Sequence, residues 1–318
     1  MYNKNILNIK ITANESEQRI DNFIRKKFQK ISKNKLYKII RIGCIKVNQK
    51  KTFPSYKLKI NDTLSYFKDI QLKENKYGNI ILSKNIKKKI LSSILFEDND
   101  LLVINKPSGI AVHGGSGLKF GIIEIFRILK PKCKFLELIH RIDRDTSGIL
   151  MLAKKKSILR DIHKQFREKK IFKKYIAIVH GILNINKQHI FASLKKNKLK
   201  NGIKIVKIDP LGQKSLSIIK VKKRFNENTL IEIIPKTGRT HQIRVHCAYI
   251  GYPIIFDNIY GNHELDYNIH LKKKYKKILL HANEIRFYHP KQKKQYFLNA
   301  PLRNRFKIFL NQINKQKN

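Results

Sequence analysis

From Ile94 onward the chain runs in short β-rich segments, "LLVIN", "ELIHRI", "ILMLA", "YIAIV" and "TLIEII", broken by only a few helical stretches. Strands that do not alternate regularly with helices predict an α+β fold whose sheet is mixed and mostly antiparallel. With 318 residues, 42% of them hydrophobic, the chain is long enough for a sizeable core and more than one domain.

The N-terminal part has a different texture. In "RIDNFIRKKFQ" the residues Ile20, Phe23, Ile24 and Phe28 share one helical stripe. Ser32 is placed to cap a second helix, "KNKLYKIIRI", with Leu36, Ile39 and Ile40 on its apolar face, Lys35, Lys38 and Arg41 outside, and Gly43 at its end. "CIKVNQK" and "NDTLSYF" read as short strands. The charged, weakly periodic stretch around "KENKYGNIILSKNIKKKI" reads as a linker. The expected division is residues 1–73 (core about 17–67), a linker at 74–93, and a second domain at 94–318. The runs "KKNKLKNGIK" and "KKKYKK" are expected to be solvated loops or basic edges that face a partner.

Lys and Arg number 70 against 22 acids, a formal charge of +48. Codon bias toward Lys, Ile and Asn accounts for part of that excess, and a polyanion partner for the rest. Only 14 of the 70 are Arg, yet Arg141, Arg144, Arg239 and Arg244 fall in two short segments. In a lysine-saturated chain this points to the planar guanidinium fork, which grips a carboxylate or phosphate with two bonds. Cys44, Cys133 and Cys247 are scattered, so neither a disulfide framework nor a cysteine zinc site is expected, and the compartment is read as reducing. With no apolar run near the ~20 residues of a membrane span and no leader-like N-terminus, a soluble cytoplasmic protein is expected.

Three segments can carry chemistry. "NKPSGIAVHGGSG", Asn105 to Gly117, is a glycine-rich turn region that is neither a Walker loop nor a dinucleotide fingerprint; it reads as a connector or a binding loop. "IHRIDRDTSGILMLAK" sets four charges before a strand that reads as buried. There Asp145, followed by Thr146 and Ser147, reads as turn chemistry, whereas Asp143, between two arginines, is the candidate catalytic carboxylate. "PKTGRTHQIRVHCAYIGYPI" reads as a strand end followed by a helix capped by Thr240, with Ile243, Cys247 and Ile250 as its stripe and Gly251 as its stop. His241 and His246, five apart, do not suit a shared metal. Arg244 lies away from the apolar stripe, where it can reach a buried carboxylate. Ser157 is placed to cap the helix "SILRDIHKQFREKK".

The motifs "HRIDRDTSGILMLAK", "KKYIAIVHG" and "TGRTHQIRVHCAYIGYPI" together resemble the pseudouridine synthases of the large-subunit ribosomal RNA type. "QRIDNFI", "IIRIGCIKVN" and "KLKINDTL" resemble the small alpha-L type RNA-binding domain named after a small-subunit ribosomal protein. The resemblance implies an isomerase that converts selected uridines of 23S rRNA to pseudouridine by base flipping, without a cofactor or a metal. Its partner would be 23S rRNA or a large-subunit assembly intermediate, with no membrane, and the enzyme would be a monomer. It places Asp143 at the essential aspartate, Arg141 at the residue that enters the RNA stack, and Tyr175 against the uracil. Arg244, with Arg239 as the alternative, is the basic partner of the aspartate, and Lys35, Lys38 and Arg41 bind RNA. The competing readings are a catalytically inactive RNA-binding or ribosome-assembly protein on the same fold and, less favoured, a metal-dependent nuclease. Mapping pseudouridines in rRNA from cells with and without the protein separates the inactive reading, and chelation tests the metal: single-turnover activity is expected to survive exhaustive EDTA treatment, and a loss restored by one specific divalent ion and not explained by RNA unfolding would contradict the metal-independent reading.

Overall fold

Two amphipathic helices build the N-terminal unit. In α1 (Ile20–Lys27) Ile20, Phe23 and Ile24 are buried; Phe28, the fourth residue of the expected stripe, lies outside the described residues. In α2 (Lys33–Arg41) the Ser32 hydroxyl caps the helix by accepting from the Lys35 N–H at 3.3 Å. Gly43, at φ +86°, closes it, with its N–H on the Ile40 carbonyl. The helices pack on a three-stranded antiparallel sheet ordered β1 (Ile6–Lys10), β3 (Thr63–Phe67), β2 (Ile45–Val47). Asp21 links the helices, holding Arg19 at 2.8 Å and the Tyr37 hydroxyl at 3.0 Å. Lys35, Lys38 and Arg41 are exposed along one face of α2.

The computed structural model describes residues 6–27, 32–67, 82–114, 120–198, 204–271 and 276–315, in two units, Met1–Ile81 and Leu82–Asn318. The stretch read as a linker differs from expectation. Its residues 74–81 lie outside the described ones, but Ser83 caps a helix, α3 (Lys84–Leu91), and Leu82, Ile90 and Ser93 are buried in the second unit. Four lysines in eight residues masked a helix that buries one isoleucine.

The second unit is an 11-stranded sheet, ordered β10 (Lys204–Ile208), β9 (Lys187–Lys198), β11 (Gln213–Arg224), β12 (Asn228–Pro235), β8 (Phe172–His180), β13 (Leu280–His289), β7 (Ser147–Ala153), β5 (Leu101–Lys106), β4 (Ile94–Glu97). Strands β14 (Lys294–Asn299) and β6 (Glu137–Leu138) pair with β13 and β7. Among the described residues only β7 with β13 is parallel, so the sheet is mixed and mostly antiparallel. Gly148 permits that junction: at φ +110° it lies so close to β13 that a Cβ would sit 2.2 Å from the Ala282 carbonyl oxygen.

The period-2 alternation of β8 distributes the cores. Ala177 and Val179 face the cluster that holds Cys247 of α6 (Gln242–Tyr249), whereas Ile178 faces Phe306 and Phe309 of α8 (Asn304–Lys315). Helix α5 (Lys156–Arg167) buries Ile158 and Ile162 against Met151 and Phe287. Its N-cap is Lys155, and Ser157, expected to cap, lies inside the first turn. Helix α4 (Ile122–Leu129) begins at Gly121, whose N–H donates to Glu124 at 2.7 Å, and the short α7 (His263–Tyr267) is capped by Asn262. Gly115 and Gly117, part of "KKNKLKNGIK" and most of "KKKYKK" lie outside the described residues.

Burial pulls three histidines down, His140 to about 3 and His246 and His281 to about 4. An unfolded histidine titrates near ~6.5, so between that pH and about 4 the unfolded chain binds more protons than the native one. The histidine contribution to stability is therefore full above about pH 6.5 and declines as pH falls, by up to ~1.4 kcal/mol per pH unit for each fully titrating site. Urea unfolding midpoints are expected to drop steadily from pH 7 to pH 4.5; a flat profile over that range would contradict this assignment of neutral buried histidines.

Candidate active site

The turn between β6 and β7 carries Asp143, and backbone contacts hold it from both sides. His140, kept neutral by burial, accepts the Met151 N–H at 3.2 Å and fastens the turn to β7. From the other side the glycine-rich segment clamps it. The Lys106 ammonium donates to the Pro107, Ile110 and Arg144 carbonyls at 3.0, 2.8 and 2.9 Å, the Gly109 N–H also reaches Arg144 O, and the Ser108 hydroxyl donates to Asp145 O at 2.6 Å. Burial draws the Lys106 amine down to about 7, yet three carbonyl acceptors use all three protons of an ammonium. "NKPSG" is thus a buttress for the aspartate turn.

Asp143 opens into a cleft of about 480 Å³ whose walls come from the Ala111–His113 turn, the His140–Arg144 turn, Lys173 and Tyr175 on β8, and the Pro235–Arg244 segment that leads into α6. Arg141, Asp143, Tyr175, Arg239 and Arg244 all line it. Of the two arginines considered as the partner of Asp143, Arg244 makes the contact, Nη1 to Oδ2 at 3.4 Å; Arg239 directs its Nε to the Lys214 carbonyl. Arg141 is exposed at the cleft wall. Lys35, Lys38 and Arg41 belong to the other unit.

Arg244 is itself held. Its Nε and Nη2 donate to Asp257 at 2.7 and 2.6 Å, and Asp257, 1% exposed, also accepts the Ile259 and Tyr260 backbone N–H groups. The guanidinium lies 5.0 Å from the centre of the Tyr260 ring. Burial would lower Arg244, but the Asp257 bonds, with Asp143 behind them, hold it above its ordinary value. The geometry is a fork with two prongs on a fixed anion and a third toward the cleft.

A second side chain faces Asp143 from the start of α6. The N-cap is His241 in a left-handed conformation, φ +53°, rather than Thr240. That conformation turns the ring so that Nε2 lies 4.0 Å from Asp143 Oδ1 while Nδ1 meets the Tyr260 hydroxyl at 2.8 Å. The Tyr260 oxygen also accepts the Val206 N–H, so Tyr260 ties His241 to the edge of β10. Burial lowers the His241 pKa, and Asp143 only partly offsets it. No side chain caps α6, the role expected of Thr240; the Gln242 side-chain oxygen instead accepts from Arg239 N and the Thr237 hydroxyl and fastens the segment before the helix. Burial, with the Asp143 charge second, raises the Tyr175 hydroxyl pKa, so the ring is uncharged at neutral pH. Asp145 makes an ion pair with Arg144 at 3.5 Å instead of the turn bonds expected of its carboxylate.

Asp257, Tyr260 and Lys106 were missed from sequence, and His241 was weighed only as a metal ligand. Among the described residues one acid and histidine group is compact enough for a cation, Asp98, Asp100 and His289. Its atoms are already engaged: Gln292 N–H donates to His289 Nδ1, His289 Nε2 then donates to Asp98, and Lys155 lies 2.6 Å from Asp100.

A cleft at the end of a mixed sheet, holding one carboxylate gripped by a buried arginine, is the site of an enzyme that belongs to the RNA pseudouridylate synthase family. That family matches residues 100–249, and an S4 domain matches residues 18–64. The chain is 49% identical over 305 residues to the ribosomal large subunit pseudouridine synthase C of Buchnera aphidicola subsp. Schizaphis graminum, covering 96% of each chain. It is 42% identical to the protein of the same name from Haemophilus influenzae, covering 100% of this chain and 98% of that one. The human RNA pseudouridylate synthase domain containing 4 shares the fold, with a TM-score of 0.60 at 23% identity over 72% of this chain and 96% of its own. The protein is therefore an isomerase that acts on RNA.

Asp257→Leu strands a buried guanidinium and is expected to destabilise the second unit by about 3–5 kcal/mol. Adding Arg244→Met, which removes the stranded charge, is expected to recover more than half of that in urea unfolding; a double variant less stable than Asp257→Leu alone would contradict the buried-pair account.

Proposed function

We propose that this protein converts selected uridines of 23S rRNA, free or in a large-subunit assembly intermediate, to pseudouridine in the cytoplasm, as a monomer, with Asp143 as the reacting carboxylate. The observation that carries the reading is that Asp143 is the single acid among the residues lining the cleft, which also carries Arg141, Arg144, Lys173, Arg239 and Arg244. A polyanion is drawn in by that charge, and its reacting nucleotide meets one carboxylate.

The chemistry fits this set. Isomerisation breaks the glycosidic bond at uracil N1 and makes one at C5, with no net redox change and nothing added, so the protein needs to expose the base, position it and supply one group that attacks or takes a proton. Flipping a uridine out of its stack costs a few kcal/mol; Arg141, exposed at the rim, is placed to occupy the vacated stack. Tyr175, uncharged, offers its ring to the uracil. Arg244 fixes Asp143 from below, and His241 approaches its other oxygen. Either role of the carboxylate, nucleophile or base, uses this same geometry. The N-terminal part, residues 1–73, adds sequence-independent affinity through Lys35, Lys38 and Arg41.

Asp143→Asn keeps shape and removes the carboxylate, so tritium release from C5-labelled uridine in 23S rRNA is expected to fall by at least about 10⁴-fold while RNA affinity stays within about threefold. Asp145→Asn is expected to lose less than about tenfold, since it gives up only an exposed ion pair. Near-normal release by folded Asp143→Asn would remove this residue from the chemistry, and no release by wild type on any form of 23S rRNA would favour an RNA-binding protein without activity.

A further inference from the structure

A second cleft, of about 550 Å³, opens beside the first. The two share Phe166, Lys173, Pro235, Thr237, Gly238 and Arg239, so they are continuous. Beyond that seam the second cleft is walled by Arg167, Lys169, Lys170 and Lys236, and no acid lines it. Its floor is apolar, from Phe166, Ile171, Phe172, Ile234 and Pro235. Lys170 is engaged with Glu168 at 2.8 Å. Arg167, Lys169, Lys173 and Lys236 make no ion pair with a carboxylate among the described residues.

Lys173 sits at the seam. Its ammonium lies 5.7 Å from the centre of the Phe166 ring, and the nearest atom to a Cβ built on Gly238 would be this ammonium at 3.9 Å. It is two residues before Tyr175 on β8, hence on the same face of the strand. Burial lowers its pKa, a cost that an arriving anion offsets. Cations on the rim and an aromatic, apolar floor are the two elements of a channel for single-stranded nucleic acid, the first for the backbone and the second for a base face.

We propose that this second cleft carries the single-stranded RNA adjacent to the target uridine, with its phosphates on Arg167, Lys169, Lys173 and Lys236 and a base against Phe166. The proposal rests on the rRNA reading above and adds where the strand runs once the reacting nucleotide is seated. The flanking nucleotides then anchor the flipped one, and binding energy gathered away from the reacting atoms holds it at Asp143.

The test uses the full chain and its Arg167→Gln, Lys169→Gln, Lys236→Gln triple variant. Each is titrated over a salt series with a 23S rRNA fragment that carries a target uridine, and with the same fragment made with uncharged methylphosphonates at the linkages flanking that uridine. The triple variant is expected to bind the natural fragment at least about tenfold more weakly, with a salt slope smaller by ~2, since each lost single-strand phosphate contact removes about 0.7. On the uncharged fragment the variant and wild type are expected to bind alike. Wild-type affinity and slope in the variant, or the same loss on both fragments, would overturn the groove. An acidic peptide that competes with wild type for this cleft while RNA binding by the variant is unchanged would assign it to a protein partner and also overturn the proposal. Binding reads the groove whether or not the base is isomerised; failure of wild type to form pseudouridine in any fragment strikes the rRNA reading instead.

Discussion

The grip of Asp257 on Arg244 is the interaction on which the site depends. A guanidinium buried at the start of α6 is tolerable because a fully buried carboxylate takes two of its N–H groups and backbone amides complete that carboxylate's bonding. Only with those prongs fixed does the third point reliably at Asp143. The longer contact, 3.4 Å against 2.6 and 2.7 Å, places Asp143 as the looser partner, with an oxygen left for the cleft. Rigid support beneath a reacting group that faces solvent is how a site holds geometry without saturating the group that must react.

The rest of the second unit serves the same turn. Gly148 lets β7 approach β13 in parallel directly after it, His140 fastens it to β7, and Lys106 with Ser108 holds its carbonyls from the opposite side. Tyr260 links the two sides of the pocket, with its ring under Arg244, its hydroxyl on His241 and its oxygen on the edge of β10. The aspartate is thus set by strands β5, β7, β10 and β13 and by helix α6, most of them distant in sequence. Such a site tolerates a lysine-saturated surface, because none of its precise contacts involve surface lysines.

Much of this was legible. The unbroken apolar run of β7 behind a cluster of charge, the arginine concentration in two segments, and the offset of Arg244 from the Ile243 stripe pointed to Asp143 and Arg244, which line one cleft, because hydrophobic runs, periodicity and charge are local signals. Asp257 was not, since a lone aspartate in "IIFDNIYG" carries no periodic mark and its partner lies thirteen residues earlier, across a turn that the sequence does not measure. His241 was judged by its angle to His246 on an ideal helix, yet it stands before the helix, in a left-handed conformation that no neighbour announces. Helix α3 was hidden for a compositional reason, lysines at half of its positions, and Lys106 because a buried lysine that bonds only to backbone carbonyls looks like any other lysine in this chain.

The claim that Asp143 is placed by a fork fixed elsewhere is tested most directly by the single-turnover rate of Arg244→Lys on 23S rRNA. Lysine keeps the charge, but its three protons sit on one nitrogen and lack the planar fork that engages both oxygens of Asp257 and spans to Asp143. The account predicts a rate at least about 100-fold below wild type with RNA affinity within about twofold; a rate within a few-fold of wild type would show that charge alone suffices and would contradict it.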